Sequence, residues 1–75
     1  MKELIEYIAE HLVDAPASVK VRERRTSRGV QLELQVARRD MGRVIGKEGR
    51  VANAMRTVLR VPAMRQGQNV SLDID

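Results

Sequence analysis

The run Val30-Gln31-Leu32-Glu33-Leu34-Gln35-Val36 alternates apolar and polar residues without a fault. Side chains point to opposite faces along a strand, so this pattern buries one face and wets the other. A helix would scatter the four aliphatics around its circumference. The run therefore fixes a half-buried strand, and the rest of the chain must supply its neighbours and its cover. Val19 and Val21 alternate with Lys20 and Arg22, and the polar turn Thr26-Ser27-Arg28-Gly29 joins them to the long run as a hairpin. Arg24, Arg25 and Arg28 crowd that turn, either as a solvated tip or as phosphate contacts. At the far end Val70, Leu72 and Ile74 alternate with Ser71, Asp73 and Asp75, a third strand. The polar face, with Lys20, Arg22, Glu33, Gln35 and Asp73, looks to water.

Cover comes from segments with the helical period. Leu4, Ile8 and Leu12 recur at i, i+4 and i+8, with Ile5 and Val13 beside them, which predicts a helix over Lys2 to Val13 stopped by Asp14 and Pro16. Tyr7 and His11 fall on the edge of that stripe as partly packed surface residues. Asp40 is expected to N-cap a short helix through Ile45, and Gly46 to end it. Val51, Met55, Val58 and Leu59 mark a further helix, expected to end before Pro62, with a polar loop from Pro62 to Gln68. The order helix, strand, strand, helix, glycine loop, helix, strand is an α+β pattern. A helical crossover makes the second and third strands parallel neighbours in a mixed three-stranded sheet. The first strand is then antiparallel on the other side, and all three helices lie on one face.

Composition bounds the function. With 75 residues the chain is expected to be a single domain over 1–75. It has no cysteine and one histidine, which excludes disulfides and the usual zinc sets. No stretch is apolar enough for a membrane span, and MKELIEYIAEHL is unlike a signal peptide, so a cytoplasmic protein with no membrane partner is expected. A net charge of +4 favours an anionic ligand. Tyr7 is the only aromatic, so a module that stacks bases on rings is excluded. Nucleic acid would have to be held through its phosphates and an aliphatic surface.

The segment Met41 to Val51, MGRVIGKEGRV, places Gly42, Gly46 and Gly49 inside an otherwise helical region. It is no Walker A loop: Gly42 to Gly46-Lys47 is one residue short, Glu48 stands where Ser or Thr should be, and no strand precedes it. The dinucleotide pattern of three glycines is absent as well. No nucleophile, base and orienting group can be named, so neither an enzyme, a small-molecule substrate nor a cofactor is expected. What remains is Gly46-Lys47-Glu48-Gly49, a G-x-x-G loop between two helices. Two glycines let a sugar–phosphate backbone come close, the next helix opens with unsatisfied amides, and Lys47 and Arg50 add charge. Glu48 is the discordant residue, harmless only if it points away.

VIGKEGR in a helix–loop–helix, with an alternating strand before and after, resembles a KH domain. The extra helix and hairpin precede the motif, as in the type II arrangement α-β-β-α-α-β. DMGRVIGKEGR and the closing VSLDID resemble the small bacterial KhpA family. The resemblance covers the whole chain. It implies single-stranded RNA, about four nucleotides, clamped on its backbone by Gly46, Lys47, Glu48 and Gly49. Val44 and Ile45 would line the groove floor, with Gly42 and Arg43 beside them. Arg50 would sit near the phosphates, and Val70 to Leu72 with Arg65 and Gln66 would form the opposite wall. It further implies an RNA chaperone or post-transcriptional regulator with links to cell shape, acting as a homodimer or as a heterodimer with a KhpB (Jag)-like KH protein. Two other readings stay open: a protein-interaction subunit with a vestigial loop, and a ribosome-associated assembly factor.

Overall fold

The computed structural model describes residues Met1 to Asp75. Its helices are α1 (Lys2–Leu12), α2 (Met41–Ile45) and α3 (Arg50–Arg65), and its strands are β1 (Lys20–Thr26), β2 (Gly29–Gln35) and β3 (Asn69–Ile74). Short 3-10 turns precede β1, α2 and α3. The sheet order is β1-β2-β3. β1 and β2 are antiparallel in register Lys20↔Gln35 to Thr26↔Gly29. β2 and β3 are parallel in register Gly29↔Asn69 to Leu34↔Ile74. The expected mixed sheet and element order are both present, and the helices pack on its apolar face. No helix is long and apolar enough to cross a membrane.

β2 is central because it alone offers a full apolar face, and Val30, Leu32 and Leu34 are all buried. Across the register, β3 contributes Leu72 beside Leu32, flanked by the half-buried Val70 and Ile74. β1 contributes only Val21; Glu23 and Arg25 occupy the next positions on the same face, opposite Leu32 and Val30. The outer half of the hairpin therefore carries charge on both faces and lies beyond the helical cover.

Helix α1 sits rotated from the stripe read in the sequence. Ile5 and Ala9 are fully buried, whereas Leu4 is 36% exposed and Tyr7 points outward. Ala9 has no bulk to hold the helix off the sheet, so the side bearing it approaches closest. The Tyr7 and His11 rings stack on each other at 4.3 Å, away from the core.

Asp40 departs from its expected role. It occupies the N-cap position of α2 but makes no side-chain cap bond there. Its carboxylate is buried and accepts the amides of Asp14 at 3.2 Å and Ala15 at 3.1 Å. The side chain thus fastens the turn after α1 to the start of the α2 segment. Charge-assisted bonds to two amides replace the water that a buried carboxylate loses. Arg43, in α2, reinforces the same junction through Asp14 at 3.3 Å.

Helix α3 also runs past its expected end. Pro62 lies inside it, and the helix continues to Arg65. Proline removes one amide, at a cost of about 3 kcal/mol in an ordinary interior. Burial decides otherwise: Ala52, Met55, Leu59 and Ala63 form one stripe, and Ala63 lies beyond the proline. The true stop is Gly67, left-handed at φ 64°. The Gln68 amide reaches back to Ala63 O at 2.9 Å and the Gly67 amide to Met64 O at 3.1 Å, a Schellman closure.

Asp40→Ala would leave the Asp14 and Ala15 amides without their acceptor. We expect a loss of about 1–3 kcal/mol in unfolding free energy, read by urea denaturation. A loss below about 0.5 kcal/mol, within the range of ordinary surface changes, would mean that packing alone holds the junction.

Candidate nucleic-acid interface

The loop between α2 and α3 is built on backbone conformations that side chains disfavour. Gly46 closes α2 at φ 76°, ψ 173°, its amide donating to Gly42 O at 2.9 Å. Gly49 stands at the start of α3 at φ 76°, ψ 13°, and its amide donates to Gly46 O at 3.2 Å. The two glycines differ in what surrounds them. A Cβ on Gly46 would lie 2.8 Å from the Val51 amide nitrogen, so the loop folds tightly onto the first turn of α3. A Cβ on Gly49 would meet nothing nearer than Asn53 Nδ2 at 4.0 Å, and one on Gly42 nothing at all. Gly46 is demanded by packing; Gly49 and Gly42 leave open surface where another backbone can approach.

Glu48 is the one non-glycine residue with a left-handed backbone, at φ 58°. Its carboxylate lies 3.8 Å from the Arg50 guanidinium, both groups being well exposed. It therefore offsets Arg50 and leaves Lys47, which makes no ion pair, as the free cation of the loop.

From this loop α3 runs beside the edge strand β3 in the opposite direction. The Arg56–Leu72 contact near one end and the Gln68–Ala63 bond at the other show that alignment. Between them lies a trough of about 540 Å³ lined by Arg56, Leu59, Arg60, Ala63, Val70 and Leu72, among others. Arg56 Nε and Nη2 donate to Leu72 O at 3.2 and 3.1 Å, and Nη1 donates to Asn53 Oδ1 at 3.1 Å. The Leu72 carbonyl is thus turned away from β2, toward the trough. The trough combines an aliphatic floor, two guanidinium groups and the outward-facing polar atoms of an edge strand.

The residues expected to form the site fall into different surroundings. Gly42, Arg43, Lys47, Glu48 and Arg50 are exposed on one end of the molecule, with Gly46 and Gly49 between them. Ile45 is 38% exposed there. Val44 is not a groove floor: it is fully buried in the core, pointing under α2. Arg43 is engaged with Asp14. Arg65 ends α3 without lining the trough, whose wall at that end is Gln68, Asn69 and Val70. Arg56 and Arg60, and Asn53 bonded to Arg56, escaped the sequence reading. Their signal was spacing: from Gly49, positions 53, 56 and 60 follow one helical face.

The family model described as "KhpA/KhpB, KH domain" matches residues 2–74. The chain is 47% identical over 74 residues to the RNA-binding protein KhpA of Clostridium acetobutylicum, covering 99% of each chain. It is 47% identical to the RNA-binding protein KhpA of Halalkalibacterium halodurans over 99% of this chain and 97% of that protein. It is 45% identical to that of Chlamydia pneumoniae over 99% and 95%. No solved structure matched.

The two loop glycines predict unequal substitutions. Gly49→Ala carries the left-handed penalty of about 1–2 kcal/mol and no clash. Gly46→Ala adds a collision with Val51, and its thermal midpoint should fall clearly further. Equal midpoints would contradict the packing described for Gly46.

Proposed function

Because the chain belongs to the KhpA/KhpB KH-domain family, we propose that it binds single-stranded RNA without catalysis, holding about four nucleotides with their backbone on the Gly46–Gly49 loop. The observation that carries this reading is the open, left-handed Gly49 beside unpaired Lys47, at the head of the helix whose Arg56 and Arg60 line the trough. Phosphates rest against the open side of Gly49, at the positive end of the α3 dipole; the Gly49 and Arg50 amides already donate to Gly46 O and Lys47 O. Lys47 supplies the charge. Bases lie over Leu59, Ala63 and Val70 and meet the edge of β3 with hydrogen bonds. With one tyrosine in the chain, on α1, stacking contributes nothing.

One such trough gives modest affinity, and a second KH domain raises it through effective concentration. The exposed aliphatic side of α3, with Val58, Val61 and Met64, supports pairing with another copy or with a KhpB-like KH protein. The same feature favours the second reading, in which the chain is chiefly an interaction subunit and its partner holds the RNA. On the first reading the protein acts in the cytoplasm as an RNA chaperone or post-transcriptional regulator.

Replacing Lys47 and Glu48 together by aspartate separates the two readings. Aspartate tolerates the left-handed position of Glu48, so circular dichroism should be unchanged. Titration of a fluorescent single-stranded RNA should show a loss of at least about 1–2 kcal/mol, because attraction at the phosphate becomes repulsion. Unaltered binding would overturn the clamp reading.

A further inference from the structure

The chain's charge is not spread over its surface. The segment from Lys20 to Arg28 holds five basic residues, Lys20, Arg22, Arg24, Arg25 and Arg28, against Glu23 alone. Elsewhere the remaining nine basic and nine acidic residues cancel, so the net +4 of the whole molecule resides in the hairpin arm. Charges on an edge strand deter unwanted strand pairing, but either sign serves that purpose. Five of one sign to one of the other calls for a further cause. Arg25 stands on the same face of the sheet as Val21, in register with Val30, yet beyond the helical cover, so its guanidinium stays in solvent. Its nearest carboxylate, Glu23, is 3.8 Å away, with Arg25 75% exposed. Arg28 makes no ion pair.

The tip of this arm is fixed against the end of the trough. Gly29 is in register with Asn69 at the head of β3, at φ 143°, and any Cβ there would collide with the Asn69 carbonyl. The depression bordered by Arg28, Gly29 and Thr26 shares Asn69, Val70 and Ser71 with the trough. A neighbouring one, bordered by Arg25, Arg28 and Gly67, shares Gln68 with it. Since α3 and β3 run antiparallel, the arginine tip borders the end of the trough away from Arg56, and the glycine loop leads into α3 on the Arg56 side.

We infer that the hairpin tip is a second phosphate-contact site, at which Arg25 and Arg28 hold the RNA strand as it leaves the trough, so that the footprint exceeds four nucleotides. The inference rests on the RNA-clamp reading and extends it along the same strand. Thr26 fixes the tip's geometry from within: its Oγ1 accepts the Arg28 amide at 3.2 Å and donates to Gly29 O at 3.3 Å. The guanidinium groups are thus carried on an ordered turn.

The test compares the double variant Arg25→Gln/Arg28→Gln with the natural chain, using single-stranded RNAs of about four and about ten nucleotides. Both positions are exposed, so circular dichroism should not change. Binding of the short RNA should stay within about twofold, while the long RNA weakens about tenfold, as expected on losing charge-assisted bonds. The salt slope for the long RNA should shrink by about 1.4, from two phosphates at about 0.7 each. Equal effects on both lengths, or none on either, would overturn the second site. The Lys47/Glu48 aspartate variant, run alongside, reports on the clamp alone: if it weakens neither RNA, the clamp reading fails whatever the hairpin variant does.

Discussion

β2 and β3 lie side by side and point the same way, and the rest of the molecule is arranged by that fact. A parallel pair cannot be closed by a tight turn; the chain must cross back over the sheet before the second strand begins. Here the crossover is α2, the glycine loop and α3. α3 has 16 residues, about 24 Å of helix, which matches the six residues of β3 at about 3.3 Å each closely enough to lie along it. The glycine loop is thereby placed at the start of a helix and beside the far end of an edge strand. A trough with one helical and one strand wall follows from the topology, before any side chain is chosen.

How far this was legible depends on whether a signal was local. Alternation in β2 and β3 and the polar turn after Thr26 depend on neighbouring residues, and they located all three strands and their directions. The glycine loop was legible for the same reason, because positive φ is a property of single residues. Asp40, Pro62, Val44 and Arg56 were not. Asp40 looks like a cap, yet its partners lie 26 and 25 positions earlier in the chain. Pro62 looks like a stop, yet Ala63 is buried by contacts that sequence spacing alone cannot weigh. Val44 and Ile45 are neighbours of the same kind, and only the seating of α2 decides which enters the core. Arg56 became visible once β3 stood beside α3 and presented the Leu72 carbonyl to it.

The three glycines of the loop region show how one residue type serves separate ends. Gly46 is required by the fold, since Val51 fills the space where a side chain would go. Gly49 is required by its backbone angle and leaves its outer side empty. Gly42 needs neither: it sits in a helix with room around it, where alanine would favour the helix by about 0.5–1 kcal/mol.

Separation of charge along the molecule governs how the two ends act together. The longest extent is 34 Å, while the Debye length at physiological salt is about 8 Å. Charges farther apart than that are largely screened from one another, and the loop's own charges, Lys47 with the Glu48–Arg50 pair, sum to a single positive charge. On the proposed reading, long-range attraction of a polyanion falls to the arm, and close positioning falls to the loop, where hydrogen-bond geometry and open backbone matter more than charge. The same reading removes the difficulty posed by Glu48: an acidic residue beside the proposed clamp costs little when the charge that draws the strand in lies on the hairpin arm.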